Sequence, residues 1–77
     1  MEDDKYKNYL WDLIFILKEK ALEAKKSVDE SNQDDYNSGY LMAFYEIIDL
    51  MKHQADAFTI KQDDIGLADI DADRDLL

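Results

Sequence analysis

Two stretches of this chain carry apolar residues at helical spacing, and only Asp29, Glu30, Ser31 and Asn32 lie between them. In the first, Tyr6, Leu10, Leu13, Ile14, Leu17, Ala21, Ala24 and Val28 recur every three or four positions. In the second, Tyr36, Tyr40, Phe44, Ile47, Met51, Ala55 and Phe58 do the same. A period of about 3.6 puts each set on one face of a helix. No proline interrupts either stretch. The spacing predicts helices over about 4–28 and 33–58, and so short a connection makes them antiparallel neighbours. Acidic residues sit where each helix dipole is positive, Asp3 and Asp4 on the first and Asp34 and Asp35 on the second. Ser31, with Asp34 three residues on, resembles a capping box for the second helix.

The remaining zone, 59–77, spaces Ile60, Ile65, Leu67 and Ile70 among acids. Thr59 with Gln62 suits the start of a short turn. Gly66 suits its left-handed end, with Leu67 supplying the hydrophobic contact that follows such an end. The expected fold is therefore all-α: an antiparallel hairpin, a short C-terminal helical turn and an acidic tail. Residues 1–67 are read as a single helical domain and 68–77 as a flexible acidic tail.

A hairpin alone has too much apolar surface to hide. At 100° per residue, Trp11, Phe15 and Leu22 form a second stripe on the first helix, away from its main face. The second helix is apolar over roughly 200° of its circumference, wider than the ~100° a surface helix needs. Leu41 and Ile48 flank its main face on one side; Gly39, Ala43, Leu50 and Ala57 flank it on the other. The chain has 77 residues and no cysteine, and chains this short usually need a staple, a metal or a second subunit. The expectation is a homodimeric four-helix bundle, with Trp11, Phe15, Leu22, Gly39, Ala43, Ile48 and Leu50 at the dimer or partner interface. The zone 58–70 folding back over Trp11 and Phe15 is the other way to cover that stripe.

Charge separates the halves. The chain holds 19 Asp and Glu against 9 Lys and Arg. Residues 1–29 carry a net −1 (7 acids, 6 lysines) and residues 30–77 a net −9 (12 acids, 3 basic residues). Direct nucleic-acid binding needs the opposite sign. The expected acidic partner surface is Asp63, Asp64, Asp69, Asp71, Asp73 and Asp75. No apolar run approaches the roughly 20 residues of a membrane span, and the acidic start is unlike a signal peptide, so the reading is a soluble, cytoplasmic chain.

Site chemistry is sparse. The single histidine, His53, falls on the polar face of the second helix beside Asp49, four residues before it; a weak ion pair is expected there, with no metal or other cofactor. Asp69-Ile70-Asp71-Ala72-Asp73 echoes the opening of a calcium loop, but Arg74 stands where that loop needs glycine. Asp73-Arg74-Asp75-Leu76-Leu77 matches a short acidic-dileucine pattern, too brief to carry weight. Tyr45 with Met42 offers a small aromatic surface. No serine or threonine has a convincing base near it, so catalysis is not expected. Two function classes remain: a small homodimeric interaction or regulatory module, or an inhibitor or antidote whose carboxylates block a basic site on a partner protein, one that could otherwise bind nucleic acid.

Overall fold

The computed structural model describes residues 2–30 and 34–77. Among them the chain is all-helical: α1 (Glu2–Glu30), α2 (Asp35–Ala57), a 3₁₀ turn (Gln62–Ile65) and α3 (Ala72–Leu76). The two long helices pack together as the hairpin that their periodicity predicts. The molecule is 47 Å long and only 21 by 17 Å across, a length that α1 accounts for almost alone at about 1.5 Å per residue.

Local chemistry explains where the elements stop. Asp34 is the N-cap of α2: its Oδ1 accepts the backbone N–H of Asn37 at 2.8 Å, and its Oδ2 accepts from the Asn37 side chain at 3.0 Å. Asp34 is thus itself the cap rather than the third residue of a capping box, and Ser31 lies outside the described residues. At the far end, the Ile60 N–H reaches back to the Ala55 carbonyl at 2.7 Å and the Thr59 N–H to Asp56 at 3.1 Å. That pattern requires a left-handed residue, and Thr59 supplies it with φ 58°. A β-branched residue there is strained. The 3₁₀ turn closes on Gly66 (φ 78°), with the Leu67 N–H bonded to the Gln62 carbonyl at 2.9 Å, as expected from the sequence. Lys61 rather than Thr59 occupies its N-cap position, without a side-chain bond.

The core shows which of the competing apolar faces wins. Ile14, Ala21, Ala24 and Val28 of α1 are buried against Leu41, Phe44, Ile48 and Ala55 of α2. Tyr6 and Leu13, expected inside, are exposed, and so are Tyr36, Tyr40, Ile47 and Phe58 of the expected main face of α2. At 100° per residue the buried face of α2 is turned by roughly 60° from the expected one. The cause is the C-terminal segment. Ile65, Leu67, Ile70, Ala72 and Leu76 complete the same core, and they draw Leu41 and Ile48 inward.

The flexible tail expected over 68–77 is accordingly a packed one. Leu67 and Leu76 are wholly buried. Asp71 caps α3 by accepting the Arg74 N–H at 3.0 Å, while its own N–H donates to Asp75 Oδ2 at 2.9 Å. With Leu76 in the core, the acidic-dileucine pattern is not a free linear motif.

Candidate interaction surfaces

The hairpin has two flanks beside its core. The C-terminal segment runs along one of them. There the Trp11 ring lies against the Cα of Gly66, so closely that a Cβ built at Gly66 meets the ring at 3.3 Å. Farther along, Lys18 Nζ donates to Asp69 Oδ1 at 2.8 Å. The lysine side chain is mostly covered and the aspartate mostly exposed. Its ammonium holds the Asp69 carboxyl below the usual carboxylate range. On the α2 edge the Tyr45 hydroxyl donates to Asp73 Oδ1. That hydrogen bond, helped by burial and by neighbouring carboxylates, raises the phenol above its ordinary value. Arg74 clasps Asp75 through Nε at 2.8 Å and a second nitrogen at 2.7 Å, which with the Asp71 N–H lowers that carboxyl from 3.8 to about 2.

These bonds redistribute the acidic surface expected from the sequence. Asp69, Asp71, Asp73 and Asp75 each have a partner within the chain. Asp63 and Asp64 stand exposed on the 3₁₀ turn. Trp11, Phe15 and Leu22 remain about half exposed on this flank. A shallow groove between Trp11, Phe15 and Lys18 on one side and Gly66, Ala68 and Asp69 on the other follows the segment. The fold-back of 58–70 over Trp11 and Phe15 is therefore seen, and it leaves those rings half covered.

Among the described residues nothing covers the opposite flank. On α1 it presents Tyr9, Leu13 and Ile16, all exposed. On α2 it presents Tyr36, Tyr40, Ile47 and Leu50, also exposed, with Phe58 at the end. The residues expected at an interface are thus divided. Trp11, Phe15 and Leu22 lie on the covered flank, Gly39, Ala43 and Leu50 on the bare one. Ile48 is on neither, being fully buried in the chain's own core. Among the described residues Gly39 makes no close helix crossing, since a Cβ there would meet nothing within 4 Å.

The bare flank of α2 carries a pattern that the sequence reading passed over. Tyr36, Tyr40, Ala43, Ile47, Leu50, Gln54 and Ala57 follow one another at alternating steps of four and three. That is the a/d spacing of a coiled-coil seam, held for three heptads without one charged residue. In a chain that is 36% charged, an exposed stripe this long and neutral is an uneconomical surface unless something covers it. The signal was present in the spacing. It was obscured because Tyr36, Tyr40 and Ile47 also fit the inward-facing set.

His53 is exposed, with Nδ1 3.4 Å from Asp49 Oδ2, as its spacing predicts. Among the described residues no three His, Asp or Glu side chains gather as a metal would require. No described helix is long and apolar enough to cross a membrane. No protein-family model, curated protein or solved structure matches the chain.

Proposed function

We propose that this chain is a small, acidic, non-catalytic protein-interaction module that acts as a homodimer. The observation that carries this reading is the bare flank, where exposed aromatic and aliphatic side chains continue from α1 to α2. Aromatic anchors of this kind are what protein interfaces use. Covering them offsets the thin core of a chain this short. Two hairpins stacked face to face make a four-helix bundle, and the acidic edges of α2 and the C-terminal segment then face outward twice, towards any further partner. Sedimentation velocity between 1 and 100 μM (chosen concentrations, about the range of ordinary dimer affinities) tests the dimer. A folded species of twice the chain mass is expected, and a folded monomer throughout overturns the reading.

One observation favours the second reading, an inhibitor or antidote of a basic protein. The C-terminal segment is packed, so Asp63 and Asp64 project from a held turn, and a mimic of phosphates needs carboxylates at fixed positions. Four of the other acids are engaged within the chain, which leaves this the weaker reading. A pull-down that recovers basic proteins at low salt and loses them at high salt supports it; recovery indifferent to salt sinks it.

A further inference from the structure

We propose that the second copy docks on the bare flank, and does so with α1 of one chain lying over α2 of the other. This rests on the homodimer reading above and names its surface and geometry. The area suits it. An aromatic side chain carries about 150–250 Å²; at their observed exposures Tyr9, Tyr36, Tyr40 and Phe58, with the aliphatic residues between them, offer on the order of 1,000 Å². A stable interface takes about 800 Å² from each partner.

The surface is also self-complementary. A twofold axis brings the same patch from each chain together. The heptad seam on α2 and the Tyr9, Leu13 and Ile16 ridge on α1 supply apolar knobs on both helices of each hairpin, as bundle packing requires. Gln54 is the one amide side chain in the seam, the kind of residue that fixes register in helical assemblies.

Charge at the rim chooses between the two possible stackings. Within the hairpin, Val28 lies at the level of Leu41, and Ile14 at the level of Met51 and Ala55. Lys20, between them on α1, therefore stands nearest the level of Ile48 and within one turn of Glu46 on α2. Both residues are exposed. With α1 over the second copy's α2, Lys20 meets Glu46 of that copy, twice per dimer. With α2 over α2 and the axis at the middle of the seam, Glu46 meets its own copy, and like charges repel.

The test compares both flanks in the full chain. Sedimentation equilibrium is run on the parent protein, on Ile47→Glu and Leu50→Glu from the bare flank, and on Phe15→Glu from the covered one, with circular dichroism reporting folding. The expected result is a dimer whose dissociation constant rises at least a hundredfold in each bare-flank variant while helicity holds, and changes less than threefold in Phe15→Glu. Lys20→Glu and Glu46→Lys should each weaken the dimer several-fold, and the double reversal should restore it. A dimer broken by Phe15→Glu and untouched at Ile47 and Leu50 keeps the homodimer and overturns the surface. Reversals whose effects simply add keep the surface and overturn the stacking. A parent protein that is monomeric at every concentration removes the homodimer itself and leaves the bare flank to a different protein.

Discussion

On one flank of the hairpin, Leu67, Ile70 and Leu76 fill the space between α1 and α2; on the other, Tyr9, Leu13, Ile47 and Leu50 face outward with no other described residue over them. The two flanks have similar side chains. They differ in whether the chain itself returns to cover them. The C-terminal segment is long enough to cross one flank once, and it does so with apolar residues at 65, 67, 70, 72 and 76 and acids between. What this teaches is that the residues that stabilise the monomer and the residues that the proposed dimer would use lie on different sides of the same two helices. A substitution should therefore affect one property or the other according to its flank.

The largest expected contrast is between Leu67 or Leu76 and Leu50. Leu67 and Leu76 are fully buried, so Leu→Ala at either should cost about 2–5 kcal/mol, through lost transfer energy and the cavity left behind. Leu50 is exposed, and Leu50→Ala should change the stability of the isolated monomer by no more than about 0.5 kcal/mol. Urea unfolding at concentrations below the dimer's dissociation constant, where association does not add to the apparent stability, reads both. Equal losses at 50 and 67 would erase the distinction between the flanks.

A smaller effect probes the joint at which the segment turns onto the hairpin. Gly66→Ala asks a side chain to hold φ 78° and places its Cβ at 3.3 Å from the Trp11 ring. The left-handed conformation alone costs about 1–2 kcal/mol. The variant should unfold at correspondingly lower urea, with a shift in the fluorescence of Trp11, the chain's one tryptophan. The converse substitution, Thr59→Gly, relieves a β-branched residue at φ 58°. Glycine's greater freedom in the unfolded chain takes back part of the gain, so a stabilisation of about 0.5 kcal/mol is expected.

Much of this architecture is legible in the residues, and what is not has a physical reason. The hairpin follows from periodicity, and the left-handed Gly66 followed by a buried Leu67 follows from the chemistry of helix ends. The face that α2 buries does not follow. Its apolar arc is wide enough to contain two faces, one with Leu41 and Ile48 and one with Ile47 and Leu50, and periodicity weighs them equally. Only the docking of Leu67, Ile70 and Leu76 decides, and that docking joins residues dozens of positions apart. The packed tail was hidden for a related reason. Alternating acids read as solvent-exposed chain, yet each of Asp69, Asp71, Asp73 and Asp75 finds its own bond, and the apolar residues between them turn inward. The interface residues were divided between flanks because a helical wheel gives angles about one helix and says nothing of where a third element lies.

The finest distinction concerns which ion pairs fasten the covered flank. Asp69 and Asp75 both have carboxyls lowered by a basic partner, Lys18 and Arg74 respectively. A carboxyl lowered on folding contributes stability that is present above its unfolded value and lost as pH falls through its folded one. For Asp75 the window runs from 3.8 down to about 2, and for Asp69 it lies below 3.8. The pairs are not equivalent in folding. Arg74 and Asp75 are sequence neighbours, so much of their attraction survives in the unfolded chain and cancels. Lys18 and Asp69 are 51 positions apart and meet only when the segment is docked. Because Asp69 is largely exposed, solvent screening keeps the pair below about 1 kcal/mol. Lys18→Met should therefore flatten the fall in stability between pH 4 and 2 more than Arg74→Met does, although the Arg74 pair has the more strongly lowered carboxyl. Urea midpoints across that range, repeated in added salt, measure it; a larger flattening from Arg74→Met would mean that α3, rather than the Lys18 contact, is the acid-sensitive fastening of the covered flank.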